Sequence, residues 1–577
     1  MKFKILAEYF DKIENASSRL KMTDHLAELF KKSDIDEIDK IIYLCQGSIA
    51  PRFKGIDLGI GEKFVIRAIA LATGNETRLI ETKFKKSGDL GDVASELLSK
   101  KRQDFLFSNE LTVSKVFDNF IKLANIGGEG SQDSKIKLIA ELLSSANSLE
   151  ARYICRFPVG KLRLGIGDPT ILDALSVYEK GSKEMREEIE RAFNLTSDLG
   201  YIAKIFIEDP KKLKKIKPIP FSPIRPSLAE RMSSAEEIFK KLGKCFCDSK
   251  YDGLRMAVHK KEDKVEIYSR NQERITKMFP DIVEEIKKIK AESIIFEGEA
   301  LAYDEKNEKY YSFQETIRRK RKYDIKKMKE QFPIEVFAFD LLYLNGKDYT
   351  QEPFNKRRKE LEKIIPKKNK ILKTSNGIIA NSSKDIEKFY NTCLKHGLEG
   401  IIAKDLEAEY IAGARKFSWI KLKKSYGKVA DTFDVVIVGY YLGKGHRAQF
   451  NFGGLLTAVY NDEKDRYETI ARIGSGFSEE EMETFEKELS KIKLNEKPKE
   501  LDSEIKPDFW VNLKYVITVS ADEISLSPLH TCAKDSNTDK KGFALRFPRM
   551  IEIREDKDPK DATTTKEIKE MYRMQKN

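Results

Sequence analysis

The sequence predicts a multidomain chain in which an all-helical part precedes an α+β part built on antiparallel strands and, last, a small β-barrel. At 577 residues the chain exceeds what one hydrophobic core usually holds, so about three domains are expected. Apolar residues recur every three or four positions up to about residue 215, and they alternate in short segments afterwards. The proline-rich stretch "KPIPFSPIRPS" lies between these two patterns and predicts a linker.

The predicted helical part covers residues 1–215. Helical spacing is evident in "ILAEYFDKI", "HLAELFKK", "KFVIRAIALATG", "KVFDNFIKLANI" and "KIKLIAELLSSA". Two glycine-containing breaks, "GGEGSQDSK" and "GKLRLGIGDP", separate such segments. Each break fits a loop that presents backbone N–H groups to phosphates, and an ordinary helix–helix turn fits equally well.

The second and third parts cover residues 216–424 and 425–577. Predicted strands of the second part are "KVEIYSRN", "SIIFEGEALAY", "IEVFAFDLLYLNG", "EGIIAKD" and "SWIKLKK", with helices between them. The third part has several short strands and one helix, "SEEEMETFEKELSKI", a pattern that fits a barrel of the oligonucleotide-binding (OB) type. The final residues predict a polar tail or a short terminal helix.

The amino-acid composition limits the classes of binding partner and the cellular compartment that are expected for this protein. Lys and Arg number 107 against 94 Asp and Glu, and this net charge of +13 fits a nucleic-acid partner or a generally lysine-rich surface. No secretory signal and no apolar run of membrane-spanning length is evident, so a cytoplasmic protein without membrane attachment is expected. The six cysteines are dispersed, so no zinc site is expected.

One lysine, Lys250, stands where the alternating segment "CFCDSK" reaches a turn, and Asp252, Gly253 and Arg255 follow it. An isolated lysine at a strand end is usually a solvated surface residue. Here ordered motifs follow it along the chain, namely "SRN", "FEGE", "FAFDLLYLNG", "EGIIAK", "WIKLKK" and "RFPRMIEIREDK". This ordered set resembles the nucleotidyltransferase superfamily of DNA ligases and messenger-RNA capping enzymes. With the helical front part, the chain is similar to the ATP-dependent replicative DNA ligases of archaea and eukaryotes.

The resemblance implies a helical DNA-binding domain, an adenylation (nucleotidyltransferase) domain and an OB-fold domain. It also implies ATP and Mg²⁺ as cofactors and nicked double-stranded DNA as partner. A monomer is expected, and a sliding clamp is a further candidate partner. The implied reaction forms a lysyl-AMP and then a DNA-adenylate, in DNA replication, repair and recombination.

Residue roles follow from the same resemblance. Lys250 would be the catalytic nucleophile that attacks the α-phosphate, for which its amine must lose its proton. Glu299 and Glu399 would hold the metal. Lys421 and Lys423 share one face of a strand, and their charge would lower the pKa of Lys250. The resemblance assigns the following residues to the nucleotide: Asp248, Arg255, Arg270, Glu299, Phe339, Arg415, Lys421, Lys423, Arg554 and Lys557.

Particular contacts are implied for several of them. Arg255 and Arg270 would hold phosphate or ribose oxygens, Phe339 would stack on adenine, and Asp248 would face the adenine. The motif "REDK", with Arg554 and Lys557, would orient the β- and γ-phosphates. Two further features complete the prediction: Ser425 replaces a frequent hinge aspartate, and the basic cluster "RRKRK" could line a DNA channel or form a solvated loop.

Three competing functions share some of these features. A capping guanylyltransferase would carry the lysine motif without the large helical front domain, and an NAD-dependent ligase would carry a four-cysteine zinc site. A non-catalytic DNA-binding scaffold would not be expected to retain Lys250, Glu299, Glu399, Lys421 and Lys423 together. Labelling with ATP or GTP in the presence of Mg²⁺ distinguishes these classes.

Overall fold

The computed structural model describes residues 1–16, 18–99, 110–232, 234–304, 309–311, 313–319, 325–365, 369–423, 431–443, 451–536 and 540–576. Two compact units make up the chain, Met1–Arg225 and Pro226–Asn577. Their boundary falls inside the proline-rich stretch. The hinge position Ser425 lies outside the described residues.

The first unit is helical, as the sequence predicts. Its α-helices are α1 (Phe3–Glu14), α2 (Arg19–Lys31), α3 (Ile38–Cys45), α4 (Glu62–Thr73), α5 (Thr77–Ser87), α6 (Leu90–Ser99), α7 (Val113–Asn125), α8 (Ser131–Ser145), α9 (Ser148–Arg156), α10 (Asp168–Lys180), α11 (Arg186–Thr196) and α12 (Leu199–Glu208). One contiguous apolar core draws residues from these helices.

Local signals explain where these helices begin. The N-cap Thr112 of α7 accepts a hydrogen bond from the backbone N–H of Lys115, and Asn147 and Glu150 form a capping box at α9. Both glycine-containing breaks run into helix starts, since Gly130 and Gly167 are the N-caps of α8 and α10. Neither of these two helices has a side-chain cap hydrogen bond.

The second unit contains the remaining elements. Its α-helices are α13 (Ala235–Leu242), α14 (Pro280–Lys287), α15 (Phe313–Ile317), α16 (Ile325–Gln331), α17 (Phe354–Ile364), α18 (Ser383–Lys395), α19 (Glu479–Lys491) and α20 (Thr565–Lys576). Its strands are β1 (Leu228–Arg231), β2 (Cys245–Lys250), β3 (Leu254–Lys261), β4 (Lys264–Ser269), β5 (Ser293–Asp304), β6 (Lys309–Tyr310), β7 (Ile334–Leu344), β8 (Lys347–Asp348), β9 (Leu372–Thr374), β10 (Gly377–Ala380), β11 (Gly400–Asp405), β12 (Arg415–Lys423), β13 (Asp431–Tyr441), β14 (Gly454–Asn461), β15 (Arg466–Ile473), β16 (Lys493–Leu494), β17 (Leu501–Asp502), β18 (Phe509–Val511), β19 (Val516–Ala521), β20 (Glu523–Ser527), β21 (Gly542–Arg546) and β22 (Arg549–Ile553).

Two sheets form the central part of this unit. The first has the order β1-β12-β11-β2-β10, and the second has the order β4-β3-β5-β7-β8 with β6 and β9 at its side. Helices α13 and α18 pack on one face of the first sheet through Ile238, Ile386 and Phe389. Helices α14 and α17 contribute Ile282, Ile286 and Leu361 to the core of the second sheet. Most pairings are antiparallel, as predicted, and β1–β12 and β7–β9 are parallel.

The C-terminal part is a sheet domain. Its main sheet has the order β16-β18-β13-β14-β15-β17, and β19 pairs with both β13 and β22. Helix α19 buries Met482, Phe485 and Leu489 in its core, and α20 adds Ile568 and Met571. The chain end is therefore a packed helix. Among the helices of the described residues, none combines the length and the apolar character that membrane crossing needs.

Candidate active site

A cavity of about 190 Å³ opens in the second unit beside the first of the two central sheets. Eleven sequence-predicted site residues line it: Asp248, Lys250, Arg255, Arg270, Glu299, Phe339, Glu399, Lys421, Lys423, Arg554 and Lys557. Arg415 is the first residue of β12, and its side chain lies outside the described part of the structure.

Strand alternation builds one wall of this pocket. In the register of β2, β11 and β12, Gly400 is paired with both Lys250 and Lys423, and Ile402 is paired with both Asp248 and Lys421. A third row pairs Lys404 with Phe246 and Trp419. Because side chains alternate along a strand, these residues share one face. The intervening residues, Cys245, Cys247, Ile401, Ala403, Ile420 and Leu422, form the apolar core on the other face.

Gly400 allows the two lysine-bearing strands to lie side by side. Its φ of +149° is rarely adopted by residues with a side chain, and a Cβ there would lie 2.0 Å from the carbonyl oxygen of Leu422. The row Lys250–Gly400–Lys423 therefore depends on a residue without a side chain at its centre.

Lys250 contacts one carboxylate. Its Nζ donates to Glu399, and Lys423 forms an ion pair with the same carboxylate. Burial opposes ionisation of Glu399, but Lys250 and Lys423 outweigh burial and lower the pKa of this carboxyl group. The backbone N–H of Glu399 also donates to the carbonyl oxygen of Lys250, at 3.1 Å. Glu399 is thus held in its charged form beside the candidate nucleophile.

The other strand lysine has a different partner. Lys421 Nζ lies 2.8 Å from Glu567, a residue of α20. Sequence reasoning expected Lys421 and Lys423 together to supply positive charge beside Lys250. In this structure Lys423 shares a carboxylate with Lys250, whereas Lys421 is paired with the C-terminal helix.

Both predicted phosphate-binding arginines face carboxylates in this structure. Arg255 lies in a two-pronged contact 2.8 Å from each carboxylate oxygen of Glu297, and Arg270 Nη2 lies 3.0 Å from Asp561. Arg255 also donates to the carbonyl oxygen of Ser227. Such paired contacts fix the plane of a guanidinium group. Sequence reasoning did not identify Glu297 or Asp561.

Glu299 lies directly across from Arg255 in the β3–β5 register. Burial raises the pKa of Glu299 to about 7, although Lys250 and Arg255 oppose the shift. Its place in an otherwise apolar strand was the signal that singled it out, and the structure puts it in the same pocket as Lys250.

Two aromatic rings line the pocket. The rings of Phe339 and Trp419 meet edge to face with centroids 6.0 Å apart. Beside them Asp248, which is 2% exposed, accepts a hydrogen bond from Lys404 at 2.8 Å. Burial lowers the pKa of Lys404, and Asp248 and Asp340 oppose this shift. Sequence reasoning did not assign Lys404 to the site.

The C-terminal part supplies further charges. Arg554 pairs with Asp556 at 2.7 Å, and Lys557 pairs with Asp434. Burial lowers the pKa of Lys557 to about 8, and Asp434 opposes the shift. Every one of these four side chains lines the pocket. The pocket lining therefore combines aromatic rings with many charged side chains.

The carboxylates of Glu299 and Glu399 offer hard oxygen donors for a metal. In the described residues, no group of three or more His, Cys, Asp or Glu side chains is arranged to hold one. Mg²⁺ commonly uses only one or two protein carboxylates and completes its shell with phosphate oxygens and water. The donor set therefore fits a magnesium ion that is bound together with a phosphate ligand.

The prediction that the basic cluster "RRKRK" lines a channel or forms a solvated loop is wrong for one residue. Arg319 is 1% exposed and its Nη2 lies 2.8 Å from Asp281, so this residue is neither solvated nor part of an open channel. Residues 320–324 lie outside the described part of the chain.

Sequence models of three families match most of the chain. "DNA ligase N terminus" matches residues 2–176, "ATP dependent DNA ligase domain" matches residues 226–423, and "ATP dependent DNA ligase C terminal region" matches residues 448–557. The chain belongs to the ATP-dependent DNA ligase family.

Similar proteins carry the corresponding names. A "Probable DNA ligase" of Dictyoglomus turgidum is 50% identical over 580 residues, which cover 100% of this chain and 98% of the relative. A "DNA ligase" of Saccharolobus solfataricus is 45% identical over 589 residues, with 100% and 98% covered. A solved structure described as "mycobacterial DNA ligase D complexed with ATP and MES" is 24% identical and covers 59% of this chain and 97% of that chain, with a TM-score of 0.35.

Proposed function

We propose that this protein seals nicks in duplex DNA, joining a 3′-hydroxyl to a 5′-phosphate with ATP as the energy source. In the first step Lys250 takes AMP from ATP and releases pyrophosphate. AMP then moves to the 5′-phosphate at the nick, and attack by the 3′-hydroxyl releases AMP. Family membership supports this reaction, which would serve DNA replication, repair and recombination.

The observation that carries the proposal is the position of Lys250. It lies at the end of β2, in a pocket lined by Phe339, Trp419 and several cations. Such a lining suits a purine base and its phosphates. A lysine amine in this pocket would attack the innermost phosphate and form a phosphoramidate.

Glu399 contacts both Lys250 and Lys423 in this structure. The Lys250 amine would have to leave this contact to reach the α-phosphate. Glu399 would then turn to another cation when the nucleotide is bound. Mg²⁺ held by Glu399 and Glu299 would supply that charge and would offset negative charge at the α-phosphate.

The nucleotide contacts are assigned as the motifs imply. Phe339 would stack on the adenine, Asp248 would accept a hydrogen bond from it, and Lys421 and Lys423 would supply positive charge beside Lys250. Arg255, Arg270 and Arg415 would serve the ribose and phosphates. Arg554 and Lys557 would hold the β- and γ-phosphates so that pyrophosphate leaves in line with the attack.

The C-terminal part must move during the cycle. Arg270–Asp561 and Lys421–Glu567 connect the pocket lining to residues of the C-terminal part, so these ion pairs would open to admit a nick to Lys250. We assign this motion to a hinge near residues 424–428, between an adenylation domain (216–424) and an OB-fold domain (425–577).

The helical unit would hold the DNA as a DNA-binding domain (1–215). Gly130 and Gly167 bring backbone N–H groups to the starts of α8 and α10, where neither helix has a side-chain cap hydrogen bond. Phosphate groups bind readily to such helix starts, and contacts of this kind follow the backbone rather than the base sequence. The net charge of +13 supports this assignment.

Labelling with ATP that carries a radioactive α-phosphate tests the proposal. The parent protein and the control Lys244→Arg, an exposed lysine just before β2, should both retain label on a denaturing gel, and Lys250→Arg should retain none. Arginine keeps the charge but does not supply a neutral amine. Label from GTP instead of ATP, or equal labelling of Lys250→Arg, would overturn the assignment.

A further inference from the structure

The proline-rich stretch that connects the two units is held against the first unit. The backbone N–H of Arg225 donates to the carbonyl oxygen of Asn194, in α11, at 2.8 Å. The hydroxyl of Ser197, the C-cap of α11, donates to the carbonyl oxygen of Pro223 at 2.6 Å. Between these two contacts Ile224 is only 3% exposed. A stretch whose composition predicts a linker is therefore packed on the first unit up to its next-to-last proline and beyond.

The side chain of Arg225 adds to this attachment. Its Nη2 lies 2.7 Å from a carboxylate oxygen of Asp168, the first residue of α10, and its guanidinium group lies 4.2 Å from the ring centroid of Phe193. The Asp168 carboxylate also accepts a hydrogen bond from Gln46 at 2.8 Å. A paired guanidinium that also lies over an aromatic ring has little freedom to turn. Both the backbone and the side chain of Arg225 are thus bound to the first unit.

The second unit binds the chain again two residues later. Ser227 is 2% exposed, and its N–H donates to the hydroxyl of Tyr410 at 2.8 Å. Its carbonyl oxygen accepts a hydrogen bond from Arg255, a residue of the pocket, at 3.0 Å. One residue, Pro226, therefore separates the last anchored residue of the first unit from the first anchored residue of the second.

A proline at this joint limits rotation. Its ring fixes φ at about −65°, so the ψ angles of Arg225 and Pro226 carry most of the remaining rotation between the two anchored residues. The ψ angle of Arg225 is restricted in turn, because a residue before proline is disfavoured in the helical region. The joint is therefore both short and stiff.

We propose that Arg225 is a positioning residue for nick sealing, which anchors the end of the first unit so that Pro226 alone joins the unit that holds DNA to the unit that carries Lys250. This proposal rests on the proposed role of the helical unit in holding DNA, and it adds how that unit delivers the nick. A short joint gives the held nick a high effective concentration at the pocket. That concentration falls roughly as the −3/2 power of the tether length.

Lengthening the joint tests the proposal. Two or six Gly and Ser residues inserted between Arg225 and Pro226 would extend the joint from one residue to three or seven. In the full chain, kcat/KM for sealing a nick that already carries AMP should then fall about fivefold and about twentyfold. Self-adenylation should stay at the parent rate, because DNA takes no part in it, and this rate reports that the second unit is folded.

A matched insertion controls for the added residues. The same six residues placed between Glu262 and Asp263, in the exposed turn that connects β3 and β4, should leave sealing unchanged. If the six-residue insertion at the joint does not yield folded protein, the two-residue insertion still decides the question by its fivefold effect.

Substitution of Arg225 distinguishes positioning from a structural role. Arg225→Gln removes one partly exposed ion pair and should lower kcat/KM for sealing about threefold. In the chain with six inserted residues it should have no further effect, because the joint there is already long. Arg225→Lys keeps a cation for Asp168 and should seal like the parent, as should Lys217→Gln, which removes an exposed lysine from the same stretch.

The outcomes separate this proposal from the proposed function. Equal sealing by the parent and by both insertion variants would overturn the proposal, because the length of the joint would then have no effect. A loss in Arg225→Gln by the same factor in both chains would show that Arg225 acts through its charge or through stability, and the positioning role would be rejected. A parent protein that seals no nick would instead reject the ligase function itself.

Discussion

Replacing both Arg554 and Lys557 with alanine should slow the first step and spare the later ones. The two side chains are only 15% and 10% exposed, and each is paired with a carboxylate, Asp556 or Asp434. A charge-assisted contact contributes about 1.5–3 kcal/mol, and the lower value applies because each cation is shared with its carboxylate. Losing two such contacts to the departing pyrophosphate removes about 3 kcal/mol, which is roughly 10²-fold in rate.

The assay compares two reactions of the same variant. Formation of the lysyl-AMP should fall by about 10²-fold, and sealing of a nick that already carries AMP should stay within a few-fold of the parent, because pyrophosphate is absent from that step. Lys487→Ala/Lys514→Ala removes two exposed lysines from the same part of the chain and serves as the charge-matched control. Normal adenylation by the Arg554/Lys557 variant, or equal loss of both reactions at an unchanged melting temperature, would refute the reasoning.

Three further predictions concern pH, the helical unit and the glycine between the lysines. Burial lowers the pKa of Lys557 to about 8, so kcat/KM for self-adenylation should fall as pH rises through 8. Lys557→Arg should abolish this decrease at high pH, and a decrease that persists in the variant would contradict the assignment. A protein that comprises only Pro226–Asn577 should still self-adenylate but should seal nicks far less well, increasingly so with added salt, and equal sealing at all salt concentrations would assign the helical unit another role. Gly400→Ala should lower the melting temperature by several degrees, since its Cβ would collide with the backbone of Leu422, and an unchanged melting temperature would show that the strands can separate at no cost.

Strand faces could be predicted from the sequence because they depend only on the local pattern. The alternation in "WIKLKK" predicted one face for Lys421 and Lys423 and the other for Ile420 and Leu422. The structure confirms this, with the two lysines in the pocket and the two apolar residues in the core. The helical first unit followed equally from its three- and four-residue spacing.

The partners of the predicted residues could not be found this way. Arg270 meets Asp561 across 291 positions of sequence, and Lys421 meets Glu567 across 146. The chain has 94 acidic residues, and only the tertiary fold selects which of them reaches a given cation. The same limit explains why Arg319 was expected in a basic cluster although it is buried.

Lys404 is different, because a local signal for it existed. It is a lysine in the otherwise apolar strand "GIIAKD", which is the same kind of signal that singled out Glu299 in "IIFEGEALAY". A charged residue inside an apolar strand requires a compensating partner wherever it occurs. Applied to both strands, that argument would have identified Lys404 from the sequence.

Locating the AMP on the chain tests the central claim most directly. After incubation with ATP and Mg²⁺, the protein would be digested with trypsin and its peptides analysed by mass spectrometry. A lysine that carries AMP resists trypsin, so the account predicts one adduct on the uncleaved peptide 245–255, with the AMP on Lys250. An adduct on any other residue, or no adduct in protein that seals nicks, would contradict it.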